Sequence, residues 1–529
     1  MSTALLRLHG IHGFQKKFIR LLSDRRLLCV ADVERAGFRP KIGLEIHAQL
    51  PTKSKLFSRA PVDEDAPPNS AVTFFDCGTP GTLPVLNKRC VLTAIKAGLV
   101  LNCEVPDRCR FDRKHYFYAD MPMGYQITQQ DHPIAVNGYL DFYVYDSDKK
   151  NSWYEKRLEI QRVQLEMDSG KTIHDDNRSL IDLNRAGVAL AEIVTGPTLT
   201  SAAEAVCFVE QLRLLFIHNN ICEGEMHSIS RNYFYVGGNL RVDANVSLTH
   251  PDGTNGIRTE IKNINSFRFI QSAIQSEIFR HFELISSGLP VINETRGVAL
   301  DGSTVSMRDK EVEVDYRMMP EPNLPVLRIR PEWMQEATDS LNLDLSHLRY
   351  IKKFHMNPNL AIHIVKDEKL RHFVDRCLTM EGLTADHLMA WLGELKKVSQ
   401  NCGKSYPPES DLVADRFANA IHLEGAGRIT KLTCLELLRA YVGEGETEEV
   451  EKLIETKDLW RITCRDDMTK LLEAVVRENE AIVAKARGKP ESKHKNKLRN
   501  ALIEKSNKRI SVDDAANCVT ALLLQHVDK

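Results

Sequence analysis

A chain of 529 residues is too long for one hydrophobic core, so about two to four domains are expected. No apolar run approaches the roughly 18 residues of a membrane span, which argues against an integral membrane protein. The formal net charge of −1 does not by itself predict a polyanionic partner. Twelve cysteines are scattered without a C-x-x-C pair. The nearest two, Cys103 and Cys109, suit neither a zinc ribbon nor a redox motif, so reduced thiols in a reducing compartment are expected.

Met1 to about Leu28 carries Arg7, Lys16, Lys17, Arg20, Arg25 and Arg26 against one acid, Asp24. Leu5, Leu6, Ile11, Phe14, Phe18 and Leu21 form an apolar stripe if the stretch coils. That pattern predicts a mitochondrial presequence; the alternative is a basic arm. Lys41–Leu50 then alternates, with Ile42, Leu44, Ile46, Ala48 and Leu50 on one face and Glu45 and His47 on the other. This is the period of a strand with one buried face. A carboxylate and an imidazole on one stiff face can bind a divalent ion or exchange protons, or can simply be solvated. The stretches 162–168 and 240–247 alternate likewise. Helical patterns intervene at Val91–Leu101, Ser201–Asn219 and Ser266–Ser287. Mixed elements in this order predict an α+β domain around antiparallel sheet.

After Pro331, which opens a helix, strand alternation almost ceases. Apolar residues recur at helical spacing, and 400–411 reads as a loop between helices. We read residues 1–35 as the presequence, 36–330 as the α+β domain, 331–460 as a helical domain and 461–529 as a small helical tail domain. The tail holds a basic run: Lys485, Arg487, Lys489, Lys493, Lys495, Lys497, Arg499, Lys505, Lys508 and Arg509, against Glu491 and Glu504. Ser511 followed by Asp513 and Asp514 marks a helix start beside it. The run is either a solvated face or a phosphate-backbone contact.

Phe111–Pro133 gathers Arg113, Lys114, His115, Tyr116, Tyr118, Asp120, Tyr125 and Gln126. Cations beside aromatics and amides suit a nucleotide or a nucleic-acid terminus, with polar strands and buried tyrosines as the alternative. Asp168–Thr172 imitates a phosphate loop, but Leu165 stands where its first glycine is required. Asp182, Asn184, Arg185 and Glu192, with Asp243, Asn245, Glu260, Lys262 and Asn263, can line one oxygen-rich pocket of the kind that suits Mg²⁺. No G-x-S-x-G elbow or amidase serine stretch is present, so any ammonia must come from another chain.

With these residues in view, the chain resembles the GatB family of glutamyl-tRNA(Gln) amidotransferases in its mitochondrial form. The likeness runs from about Pro40 to Leu327 through IGLEIHAQL, SKLFS, FDRKHYFYAD, GYQITQ, SLIDLNRAG, EIVTGP, NLRVDANVS, TEIKNINSF, ETRG and PEPNLP, and is looser beyond Trp333. The resemblance implies a cradle-shaped kinase and transamidase domain followed by helical and tail domains that hold tRNA. It implies ATP and Mg²⁺ as cofactors and Glu-tRNA(Gln) as substrate. Its partners would be an amidase subunit that releases ammonia and a small third subunit, in the mitochondrial matrix. It places Glu45, His47, Glu166 and Glu192 at the metal and Lys114 and Tyr116 in the reaction pocket. The basic run from Lys485 to Arg499 would lie on tRNA. Three departures stand out. Met167 replaces the second of two adjacent glutamates, Met123 replaces a common lysine, and about His227–Val236 reads as an insertion. The two methionines motivate an alternative, a non-catalytic tRNA-binding scaffold of the same complex. A free-standing metal-dependent hydrolase is a third possibility.

Overall fold

The alternation at Lys41–Leu50 becomes the central strand of a large sheet. In a computed structural model, which describes residues 30–63, 65–145, 152–175, 178–229, 235–309, 316–342, 344–487 and 493–524, strand β1 runs Arg39–Gln49. Ile42, Leu44, Ile46 and Ala48 are buried on one face, whereas Glu45 and His47 are half-buried on the other. Of the stretch read as a presequence, residues 1–29 lie outside the described residues, and Val30–Arg35 is a short helix.

Seven more strands complete this sheet: β2 (Ala135–Tyr145), β3 (Trp153–Met167), β4 (Ala189–Thr195), β5 (Leu240–Thr249), β6 (Thr259–Ile264), β7 (Glu294–Val298) and β8 (Thr304–Asp309). Their spatial order is β8-β7-β6-β5-β1-β4-β3-β2. The sheet is antiparallel except at β6–β7, which is parallel. That exception to the expected antiparallel sheet has a simple cause. A 20-residue helix between the two strands carries the chain back, so β7 enters in the direction of β6.

Three capped helices pack on the sheet: α1 (Lys88–Val100), α2 (Ala202–His218) and α3 (Phe267–Ser286). Asn87, Ser201 and Ser266 accept from backbone N–H groups of their first turns. Phe208 of α2 meets Phe142 of β2 edge-on at 5.4 Å, and Phe282 of α3 meets Phe38 at 5.6 Å. Helix α4 (Pro331–Asp339) packs on α1, and Lys88 reaches Glu336 at 3.3 Å. The division between the two compact units therefore falls between Leu345 and Ser346, later than the change of pattern at Pro331. The DSGKT stretch joins β3 to a further strand, Lys171–Asp175, with no helix after it, as the missing glycine implied. His227–Ile229 and Tyr235–Gly237, in the stretch read as an insertion, pair as a two-stranded hairpin between α2 and β5.

The second unit is helical throughout its described residues. Glu368–Cys377 and Asp411–Gly425 match the helical spacings, and the loop after Asn401 holds a cis Tyr406–Pro407 bond. The last helices, from Arg465 to Leu524, share an apolar cluster that includes Leu472, Val475, Val483, Leu498, Leu502 and Val519. They are tied to helix Lys431–Arg439 by the Lys508 carbonyl, which accepts from Thr430 and Thr433 at 2.6 and 3.2 Å. No helix among the described residues is long and apolar enough to cross a membrane. Cys103, Cys109, Cys377 and Cys434 are buried as free thiols.

Candidate active site on the polar face of the sheet

Register assembles the site. His47 on β1 lies opposite Glu192 on β4 and Arg241 on β5, and Glu192 lies opposite Gln164 on β3. Four neighbouring strands thus set Gln164, Glu192, His47 and Arg241 in one row across the sheet. Directly opposed side chains stand about 5 Å apart at Cβ, so these groups must interact. One step along β1, Glu45 lies opposite Asp243.

The contacts are polar and close. His47 Nε2 is 3.3 Å from Glu166 Oε1 and 4.0 Å from Glu192 Oε2. Gln164 Nε2 donates to Glu192 Oε2 at 2.6 Å and to Thr128 Oγ1 at 3.2 Å. Burial lowers the pKa of His47, but its hydrogen bond to Glu166 and the charges of Glu166, Glu192 and Asp243 outweigh this and raise it to about 9. Burial and the neighbouring Glu166 charge push Glu192 above the usual carboxylate range. Against its own burial, Glu166 is held below that range by His47 and Lys114. Two carboxylates at one site do not ionise equally, and His47 selects Glu166 as the anion.

Glu45 separates from this group. It accepts from Asn245 Nδ2 at 3.0 Å, and its carboxylate clusters with Asp243 and Glu260. The donor atoms of His47, Glu166 and Glu192 lie within 4.8 Å of one another, as do those of Glu45, Asp243 and Glu260. Carboxylate oxygens at such spacing fit a hard dication, which keeps water or phosphate oxygens in its remaining positions.

His47, Glu166 and Glu192 of the first group and Glu45 and Asp243 of the second border a cavity of about 370 Å³ whose wall also includes Lys114, Tyr116, Asp120, Arg185, Arg241, Lys262 and Asn263, whereas Glu260 and Asn245 do not line it. Lys114 and Tyr116 come from a hairpin pairing Asp112–His115 with Tyr125–Thr128. The hairpin is fastened by Gln126 Nε2, which donates to the Met167 carbonyl at 2.8 Å, and by Arg113, which grips Glu321 bidentately. Lys114 Nζ sits 4.7 Å over the Tyr316 ring. Arg185 donates to the carbonyls of Ser169 and Gly170 at 3.0 and 2.7 Å. Its turn is held from beneath by the buried Lys55, which donates to the Leu183 carbonyl at 3.2 Å and pairs with Asp76 at 3.6 Å. Gly187 closes that turn at φ +83°, where any Cβ would also meet Asp76.

Asp182 and Asn184 do not reach the cavity. They accept from the backbone of Asn69 and Ala71 and so pin the loop before α1. Met167 is 1% exposed and faces the core beside Leu165, so it takes no oxygen donor away from the cavity. Met123 does not line the cavity either. The family resemblance set Glu45 at one metal with His47, Glu166 and Glu192, whereas its carboxylate clusters with Asp243 and Glu260. The β1–β5 register sets Asp243 opposite Glu45, and the β5–β6 pairing sets Glu260 opposite the neighbouring Asn245.

In the second unit, Lys485, Lys493 and Lys497 are exposed, and Lys495 and Arg499 are half-exposed. Lys489 and the side chain of Arg487 lie outside the described residues. Lys505 and Lys508 are engaged with Glu478 and Glu436 at 2.6 and 2.9 Å, and Arg509 pairs with Asp458.

An acid- and amide-lined cavity on a mixed sheet marks this as a catalytic domain, and residues 40–335 match the family described as the GatB/GatE catalytic domain. The chain is 39% identical over 469 residues to the B-type subunit of the mitochondrial glutamyl-tRNA(Gln) amidotransferase of Danio rerio, covering 84% of this chain and 82% of that one. It is 51% identical over 289 residues to the Homo sapiens protein of the same name, covering 54% of this chain and 50% of the relative. With the B-type subunit of the aspartyl/glutamyl-tRNA(Asn/Gln) amidotransferase of Rickettsia prowazekii it shares 39% identity over 457 residues, 84% of this chain and 89% of that one. The chain belongs to the GatB family, the B-type subunits of glutamyl-tRNA(Gln) amidotransferases.

Proposed function

We propose that this cavity is where glutamate esterified to tRNA(Gln) is activated with ATP and converted to glutamine. The observation that carries the reading is that Glu192, His47 and Arg241, set in one row by register, border the same cavity as Glu166, Lys114 and Tyr116. A side-chain carboxylate is a poor electrophile. Transfer of the γ-phosphoryl group to its oxygen releases ADP; ammonia then attacks the acyl carbon, phosphate departs, and the new amide sheds a proton. Lys114 supplies a cation for the carboxylate or phosphate, and Tyr116 walls the acyl chain. Glu166 and Glu192, with His47 once it gives up its proton and Glu45 beside them, would hold Mg²⁺, which would offset charge on the phosphate oxygens. Ammonia is released by a partner amidase, and a small third subunit is the other member of the complex. The names of the relatives and the basic, acid-poor start of the chain support the mitochondrial matrix as the location. The exposed lysines of the tail contact the tRNA backbone.

The reconstituted complex, given Glu-tRNA(Gln), γ-labelled ATP and Mg²⁺, tests this. Glu166→Gln and His47→Ala are each expected to slow phosphate release by about 10²-fold or more while leaving tRNA binding intact. Undiminished release from both variants would remove the cavity from the chemistry. A scaffold role predicts no release from the intact chain, and its motive weakens because neither Met167 nor Met123 lines the cavity.

A further inference from the structure

Asp120 belongs to the cavity wall but to neither acid group. It sits in the turn following Tyr118, where its carbonyl accepts from Gly170 N at 2.8 Å. Its carboxylate Oδ1 is buried and has no hydrogen-bond partner among the described residues. The neighbouring guanidinium groups spend these hydrogen bonds elsewhere, Arg185 on the Ser169 and Gly170 carbonyls and Arg241 on Asp168 at 2.6 Å, although the charge of Arg185 still reaches Asp120. The ring of Tyr116 lies on the same cavity wall, 4.5 Å from that of Tyr118. A hydrogen bond from Ser169 and the charge of Arg185 favour the carboxylate, but burial outweighs them and raises its pKa, and the Oδ1 atom left without a donor is costly. Beside an aromatic face, such an oxygen is complementary to a cation that carries its own N–H donors.

We propose that Asp120 receives the α-ammonium group of the aminoacyl ester, with Tyr116 beside it, and so selects an esterified amino acid over a plain acid. This rests on the reading that the ester occupies this cavity. Incoming ammonia is the other nitrogen in the reaction, but a carboxylate would hold it as ammonium, which has no lone pair to attack with. The arrangement therefore suits a group that is bound and does not react.

Binding measured without ATP tests the assignment on the whole complex. The probes are uncharged tRNA(Gln), Glu-tRNA(Gln), and the 2-hydroxyglutaryl ester made by deaminating it with nitrous acid, which keeps the shape and loses the charge. The wild-type complex should prefer the glutamyl over the hydroxy ester by about tenfold. Asp120→Asn should reduce that preference to near unity while uncharged tRNA binds equally to both proteins, which also reports correct folding. No preference in the wild type overturns the proposal without recourse to any variant. An equal preference in Asp120→Asn overturns it too, as does a raised requirement for ammonium with the preference intact. Phosphate release by the wild type alongside any of these results would leave the cavity reading standing.

Discussion

Glu277 is fully buried on α3 and meets four donors. Arg280 and His281 approach one oxygen, Thr304 donates to the other at 2.7 Å, and Arg296 lies 3.4 Å from it. Burial alone would raise its pKa, yet these partners hold it down to about 2. A carboxyl depressed in the folded state stabilises fully above its unfolded value of about 4.5, and that stability is lost as pH falls from there towards about 2. Urea unfolding should therefore show a loss of about 3 kcal/mol across this window from Glu277. Glu277→Gln should cost about 3 kcal/mol near neutrality and flatten the acid limb. None of this was legible in the sequence, where Glu277 is one glutamate among many on a helical stretch. The roles of Glu45 and His47 were partly legible, because a two-residue period puts them on one face whatever surrounds them. Met167 could also have been placed by that period. Position 167 falls on the opposite face from 166, so its departure from the family pattern removes nothing from the cavity.

At the scale of elements, α2 shows how a local signal is reinforced from afar. Ser201 caps the helix by accepting from Glu204 N at 3.2 Å. The Glu204 side chain accepts from Thr200 N at 2.6 Å and also binds Tyr154 Oη at 2.8 Å and Lys156 Nζ at 2.7 Å on β3. Ser201→Ala should destabilise by about 1 kcal/mol, as cap deletions do. Glu204→Ala should cost more, about 3 kcal/mol, because it strands three donors and loosens the helix from the sheet. Thermal melts of the two single variants and the double variant would measure the coupling. Helices α1, α2 and α3 and strands β1 and β5 were readable because their caps and alternation are local. The parallel β6–β7 pair was not, since strand direction depends on where the intervening helix sets the chain down.

On the scale of the molecule, the basic run of the tail is divided by its surroundings. Lysines that read as one run in the sequence separate into those held by acids within the second unit and those facing solvent. Reversing Lys493, Lys495 and Lys497 together should weaken tRNA binding and lower the slope of log affinity against log salt by about three, without moving the melting temperature. Lys508→Glu should act the other way, reducing stability by removing the partner of Glu436. The central strand carries a consequence for biogenesis. Glu45 on β1 bonds Asn245, 200 residues further along the chain, and the other neighbour of β1 is β4. On the ribosome, this central strand emerges long before either neighbour exists, with both edges bare. Such a topology folds slowly and stays prone to clumping until synthesis has passed β5. Yield should therefore depend steeply on chaperone supply, more than the modest net charge or the composition would lead one to expect.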